Sequence, residues 1–292
     1  MPYAESDGAR LYFEEAGKGT PIVFVHEFAG DLRSWEPQVR HFSRRYRCIA
    51  FNARGYPPSD VPKARSAYSQ KIATDDVANV MRALGIRNAH IVGCSMGGFA
   101  TVHFGLDYPR MAKSLTAVGV GYGSDPGNYE QFLKDNAEMA ERFDRLGTPE
   151  AVKPYQVGPA RVQMQNKDAR GFREFCEQFA EHSALGSANT LRGVQMRRPS
   201  IYSLERKLRA LKAPLHMISG DEDNNCLEPS LFIKRVCPSA WLTVFPTTGH
   251  AVNLEEPDLF NRIVGDYIAQ VESGRWKPRD ARSLNKSNLL KK

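Results

Sequence analysis

At 292 residues the chain has room for one large α/β domain or two small ones and for a full hydrophobic core. Its net charge of +7 would by itself suggest nucleic acid or an anionic surface as partner. The final stretch, "GRWKPRDARSLNKSNLLKK" from Gly274, holds seven Lys or Arg against one Asp, so residues 1–273 are almost neutral and the body of the chain is expected to bind neither nucleic acid nor membrane. That tail lacks an apolar repeat and is expected to be disordered.

No basic patch followed by an apolar run opens the chain, and its longest apolar stretches are short, such as "IVFV" at 22–25. Neither a signal peptide nor a membrane span is therefore expected, and the chain reads as cytoplasmic. The five cysteines, Cys48, Cys94, Cys176, Cys226 and Cys237, are odd in number and match no metal-ligand spacing, so reduced thiols are expected and zinc is not.

In chain order, "RLYFEEAG", "PIVFVHEF", a helix near 32–43, "YRCIAFNAR", a helix at 69–84 and "AHIVGCS" alternate strand and helix. The alternation predicts a mostly parallel sheet flanked by helices, with the near-continuous apolar strands buried on both faces. From about 122 to 200 it stops: Phe132, Phe143, Phe172, Phe175 and Phe179 recur at helical spacing between Gly and Pro punctuation, which reads as an inserted helical cap with its own aromatic core. The sheet pattern resumes with "PLHMISG", a helix near 228–237, "WLTVFP" and a last helix at 254–272. The expected organisation is an α/β core at 1–121, the cap at 122–200, the rest of the core at 201–272 and the tail at 273–292.

The motif richest in chemistry is "GCSMGG", in which Gly93-x-Ser95-x-Gly97 lies between a strand and a helical pattern. A sharp strand-to-helix turn needs small residues two before and two after its central residue, and it lifts Ser95 above the sheet. A serine hydroxyl is a poor nucleophile, so the motif calls for a histidine base and an orienting acid later in the chain. His250 in "TTGHAVNLEEP" follows a strand in a loop beside Gly249, whereas His41, His90, His103, His182 and His216 fall within helical or strand patterns and His26 ends a strand. Asp221, Glu222 and Asp223 in "GDEDNN" are the candidate acids. Asp223 leads because it lies beyond the strand end and leaves room for one helix and one strand before His250, and Asp221 follows, its plainer role being to cap the turn.

Over residues 8–272 the sequence resembles the α/β-hydrolase fold family in "GCSMGG", "GDED" and "GHAVNLEEP". The similarity is to its capped branch of esterases, enol-lactonases, cofactor-free haloperoxidases and carbon–carbon hydrolases. The resemblance implies a Ser95, Asp223, His250 triad, no cofactor or metal, and an oxyanion hole made by the backbone N–H groups of Met96 and Phe28. It implies a small ester, lactone or vinylogous diketone as substrate, and leaves homo-oligomer formation open. Ser95 excludes an aspartate-nucleophile dehalogenase or epoxide hydrolase; a ligand-binding receptor on the same fold is the non-enzyme alternative.

Two places depart from the family pattern. Relatives read His-Gly-x after the first core strand, and here Glu27 takes the glycine place in "FVHEFAG". Its carboxylate is expected either in solvent or paired with an arginine, Arg54 first, or else at the pocket mouth, where it would repel anions or assist proton transfer. In "FNARGYPPSD", Asn52 and Pro57 replace an Asp and a Gly, while Arg54 and Ser59 keep their places in what reads as a structural turn. The pocket is expected to draw on Glu27, Phe28, Trp35, Met96 and Tyr122. "RGVQMRRPS" adds Arg192, Arg197 and Arg198, either a solvated face or a carboxylate clamp in which Arg197 is the pocket candidate.

Overall fold

A computed structural model describes residues 2–284. Its eight strands are β1 Tyr3–Ser6, β2 Ala9–Ala16, β3 Pro21–Val25, β4 Arg47–Phe51, β5 Ala89–Cys94, β6 Ala112–Val118, β7 Leu215–Gly220 and β8 Ala240–Phe245. They form one sheet in the order β1-β2-β4-β3-β5-β6-β7-β8. Only the β1–β2 and β2–β4 pairs are antiparallel. The first pair closes through Asp7-Gly8, both at positive φ, as a tight two-residue hairpin demands.

The expected parallel sheet is present, and its central strands β5 and β7 are buried along their whole length. Strand β6, "AKSLTAV", was not singled out from sequence because its apolar run is short and opens on Lys113 and Ser114. Successive side chains on a strand face opposite ways, so Val23 and Val25 enter one core and Ile22 and Phe24 the other. The helices around the sheet are α1 Glu36–Phe42, α2 Gln70–Ala83, α3 Met96–Asp107, and, from β6 to β7, α4 Tyr129–Leu146, α5 Thr148–Ala151, α6 Lys153–Gln156, α7 Val162–Lys167, α8 Ala169–Ala180, α9 Ala184–Gly193 and α10 Glu205–Ala210. The chain closes with α11 Asn224–Val236, α12 Val252–Glu255 and α13 Pro257–Glu272. Side-chain caps fix several starts: Ser69, Asp168 and Ser183 accept from the N–H groups of Ile72, Gly171 and Gly186.

The expected last helix is interrupted at Glu256, since Pro257 disfavours helical geometry in the residue before it. Of the aromatics in the segment read as a cap, Phe143, Phe175 and Phe179 are buried in a third cluster, but this cluster also takes in Phe28 and Met96 from the sheet side. The tail expectation needs correction as far as residue 284. Trp276 packs against the core around α1 and α13, and the Arg279 N–H donates to Pro238 O at 2.8 Å, because apolar surface and a free carbonyl at the sheet edge await them. Residues 285–292, part of the same expectation, lie outside the described residues. Among the described residues no helix is long and apolar enough to cross a membrane.

Chain order runs outward from the middle of the sheet, to β4 on one side of β3 and to β6, β7 and β8 beyond β5. The loops leaving the carboxyl ends of β3 and β5 therefore diverge side by side and leave a crevice at the centre of the sheet. The approach is close: a Cβ on Gly97 would lie 2.1 Å from Val25 O, and one on Gly93 would lie 2.2 Å from Gly97 O. Gly97→Ala is expected to destabilise the fold by about 1–3 kcal/mol or more, because the backbone of β3 has nowhere to move. Gly265→Ala, inside α13 with only Phe42 Cε1 at 3.7 Å, is expected to stabilise it by about 0.4–1 kcal/mol. Urea unfolding midpoints of the two variants, moving in opposite directions, check the pair.

Candidate active site

Ser95 stands where β5 turns into α3, with φ +52° and ψ −112°. Backbone of this kind in a residue with a Cβ costs about 1–3 kcal/mol and persists only where its surroundings over-determine it. Here the Ser95 N–H donates to Val118 O on β6 at 2.7 Å, and Ser95 O accepts from the Phe99 N–H at 2.8 Å, which starts α3. Met96 is the first residue of that helix, so its N–H has no intrahelical acceptor. Neither it nor the Phe28 N–H meets an acceptor among the described residues.

The β7 and β8 ends supply the other expected groups. His250 Nδ1–H donates to Asp223 Oδ2 at 2.7 Å, both side chains being buried. Asp221 instead accepts from the Thr248 N–H at 3.0 Å, and Glu222 accepts from Gln163 at 2.6 Å, so of the three candidate acids Asp223 alone reaches the imidazole. Gly119 makes room for the pair: at φ +58° it bears no Cβ, and one built there would sit 3.0 Å from His250 Cε1 and 3.4 Å from Asp223 Oδ2. Glu255 holds the histidine loop by accepting from the N–H groups of Gly249 at 2.6 Å and Ala251 at 3.0 Å. Burial disfavours the imidazolium, but the charge and hydrogen bond of Asp223, with help from Glu27, outweigh it and raise the His250 pKa above 6.5. Burial also opposes the Asp223 carboxylate, and His250 outweighs it there, so Asp223 titrates below its ordinary value.

A cavity of about 360 Å³ opens over these groups. Ser95, His250, Asp223 and Phe28 line its floor, while Tyr122, Met139, Tyr155, Leu191, Gln195 and Arg198 line it from the segment between β6 and β7. Tyr122 is thus where expected. Trp35 is not: it lies fully buried beside Phe24 and Phe260, because its position after β3 turns it into the α1 and α13 core. Arg197 is exposed and does not reach the cavity; its neighbour Arg198 does, since the turn after α9 points consecutive side chains apart. The Met96 side chain does not line the cavity and belongs to the same buried cluster as Phe28, Phe143 and Phe179.

The expected pairing of Glu27 with an arginine is present, but the partner is Arg161 and not Arg54, and the pocket role is corrected. Glu27 does not line the cavity or meet Arg54, which forms a two-toothed pair with Asp76 at 2.8 and 2.7 Å. Glu27 is 2% exposed and pairs with Arg161, 1% exposed, in the segment between α6 and α7: Nη1 donates to Oε1 at 3.0 Å and Nη2 to Oε2. The guanidinium lies over Phe175, 4.7 Å from the ring centroid, and over Tyr155 at 5.5 Å. Burial opposes ionisation of Glu27, but Arg161 more than offsets it and holds its pKa below 4.5. At His250 the two partners act in opposite directions, Glu27 raising the pKa and Arg161 lowering it. His26 fixes the same loop: its Nδ1–H donates to Glu27 O at 2.7 Å and its Nε2 accepts from the Ala53 N–H at 3.0 Å, with burial drawing its pKa down to about 4 and keeping the ring neutral.

Sequence reasoning missed Arg161 and Glu255; it named Arg198 within "RGVQMRRPS" but took its neighbour Arg197 as the pocket candidate. Glu255 carried a local signal, five residues after His250 in "GHAVNLEEP"; Arg161 carried none, being 134 residues from its partner. The one trio of clustered metal-type ligands among the described residues is Asp223, Cys226 and His250. Burial pushes the Cys226 thiol well above its ordinary pKa, so it stays protonated and a poor ligand, and His250 Nδ1 is already committed to Asp223.

Removing one side of the Glu27–Arg161 pair leaves the other charge buried without compensation, so Arg161→Met is expected to cost about 3–5 kcal/mol. The double variant Glu27→Gln/Arg161→Met should recover much of that, and denaturant unfolding measures both. Because the folded pKa of Glu27 is depressed, the stability from the pair is present above pH 4.5 and lost as pH falls through the folded value. Wild type should therefore lose more stability below pH 4.5 than the double variant does.

Comparison with known proteins agrees with this architecture. The chain is 27% identical over 269 residues to the AB hydrolase superfamily protein YisY of Bacillus subtilis (strain 168), covering 88% of this chain and 94% of that one. It is 24% identical over 272 residues to the 2-hydroxy-6-oxo-6-phenylhexa-2,4-dienoate hydrolase of Burkholderia cepacia, covering 89% and 91%. The enol-lactonase from Burkholderia xenovorans LB400 superposes with a TM-score of 0.80 at 21% identity, covering 92% of this chain and 100% of that one, a likeness of fold. The profile of the alpha/beta hydrolase fold matches residues 20–257, and with the strand order and the strained serine turn already in view, the chain belongs to the α/β-hydrolase fold family.

Proposed function

We propose that the protein is a serine-dependent hydrolase of carboxylic esters or lactones of small, mostly apolar substrates. The observation that carries this reading is Ser95, held at φ +52° on the floor of a cavity that it shares with an imidazole oriented by Asp223. His250 takes the Ser95 proton as Oγ attacks the substrate carbonyl, and Asp223 keeps Nδ1 protonated so that Nε2 is the base. The oxyanion of the tetrahedral intermediate accepts from the N–H groups of Met96 and Phe28, each worth about 100- to 1,000-fold in rate, with the N-terminus of α3 adding its dipole. Collapse expels the alkoxide, which takes the proton from His250, and water then repeats the cycle on the acyl-enzyme. Ser95 and His250 form no hydrogen bond among the described residues, and catalytic contacts of this type commonly close only on substrate binding.

In this reading residues 122–200 act as a cap that selects substrate, for which Tyr122, Met139, Tyr155 and Leu191 on the cavity wall are the support. Five free thiols among the described residues suit a reducing compartment such as the cytoplasm. A carbon–carbon hydrolase using the same three residues is the second reading, favoured by the dienoate hydrolase relative.

Fluorophosphonate should label Ser95 in the wild type and not in Ser95→Ala; a wild type that resists labelling would count against the hydrolase reading. Since the base must be neutral and its pKa is raised, kcat/KM for p-nitrophenyl esters should rise with pH through a midpoint above 6.5. Asp223→Asn should lower kcat by about three to four orders of magnitude and move that midpoint down, which pH–rate profiles of the two proteins measure. Turnover of a vinylogous diketone in place of esters and lactones would move the assignment to the second reading.

A further inference from the structure

Three arginines are buried among the described residues: Arg54, Arg161 and Arg198. Arg54 is matched by the Asp76 carboxylate and Arg161 by that of Glu27. Arg198 is matched by none. Its Nη1 donates to the amide oxygen of Gln195 and its Nη2 to the backbone oxygen of Tyr122, both neutral acceptors, and its Nε–H meets no acceptor among the described residues. The guanidinium carbon lies over the Phe99 ring, 3.7 Å from its centroid, and over the Phe132 ring at 5.6 Å. These rings hold a cation in place and supply no counter-charge.

Arg198 also lines the cavity that holds Ser95 and His250. The carboxylates of that lining are otherwise placed: Asp223 is engaged by His250, Asp135 accepts from Gln131 and Tyr122, and Asp135 and Glu138 lie exposed. A desolvated guanidinium is ordinarily retained only beside an anion, and a fork-shaped donor fixed by two neutral acceptors against an aromatic face is pre-organised to receive one. Burial draws the Arg198 pKa down to about 9, which still leaves it charged at neutral pH.

We infer that Arg198 is a substrate-binding residue and that the substrate class is an ester or lactone bearing a free carboxylate remote from the scissile carbonyl. The carboxylate accepts from the Arg198 guanidinium while the apolar wall of Met139, Tyr155 and Leu191 holds the linking chain. This assignment rests on the hydrolase reading above and sharpens it.

The test compares the p-nitrophenyl monoester of adipic acid with p-nitrophenyl hexanoate, which differ at the far end by a carboxylate against a methyl group. Wild type should show a kcat/KM ratio, acid ester to neutral ester, of about ten or more, and Arg198→Met should lower that ratio at least tenfold, with Arg198→Lys between them. A wild-type ratio near or below one, or a ratio unchanged in Arg198→Met, overturns the inference while leaving the hydrolase reading intact. Calorimetric binding of monomethyl adipate to Ser95→Ala needs no turnover, and adding Arg198→Met should weaken it at least tenfold. Unweakened binding refutes the carboxylate site, whereas weakened binding without any hydrolysis by the wild type would retain the site and sink the hydrolase reading. Should Arg198→Met fail to fold, as circular dichroism would reveal, the wild-type ratio and its fall in Arg198→Lys decide.

Discussion

The site depends on how closely α3 approaches the end of β3. With no side chain at Gly97, the first turn of the helix sits against the Val25 carbonyl, where a Cβ would come within 2.1 Å. That contact fixes the helix N-terminus at the middle of the sheet and forces the preceding residue, Ser95, into its strained conformation. It also brings the loop after β3 beside the loop after β5, so that the free amides of Phe28 and Met96 belong to adjacent pieces of backbone. The proposed chemistry needs a nucleophile and two donors converging on one carbonyl, and a single steric constraint positions all three.

A second constraint is electrostatic and ties the helices above the sheet to the loop at the carboxyl end of its central strand β3. Glu27 and Arg161 are both buried, and neither charge is tolerable there without the other. Their pairing joins the loop after β3 to the segment between α6 and α7, and the Ala160 carbonyl next to Arg161 accepts from the His250 N–H at 3.4 Å. The roof of the cavity is therefore held to the same loops that carry the proposed oxyanion donors and base. At His250 the two charges of the pair act in opposite directions, Glu27 raising the pKa and Arg161 lowering it.

Local sequence was informative where short-range geometry decides. The small residues around Ser95 reflect a turn that rejects side chains, and the apolar runs of β3, β5 and β7 reflect burial on both faces. Asp223 was favoured over Asp221 by its distance past a strand end, and their hydrogen bonds separate them in the same sense. Glu27, Trp35 and Arg197 were misplaced for a common reason: a loop residue's neighbours are set by chain segments far away in sequence. Trp35 turned into the core between β3 and α13, Arg197 turned to solvent, and Glu27 found a partner that no local pattern announces.

The sequence by itself determined the sheet, the serine turn and the order of serine, acid and histidine, because each follows from steric and hydrophobic rules acting over a few residues. Only the tertiary structure decided which charges meet. Two buried arginines found carboxylates 22 and 134 residues away, and a third found none and faces the cavity. Burial makes an unmatched charge expensive, so this distribution carries functional information, but the cost arises from desolvation by residues assembled from the whole chain. It becomes visible only when those residues have come together.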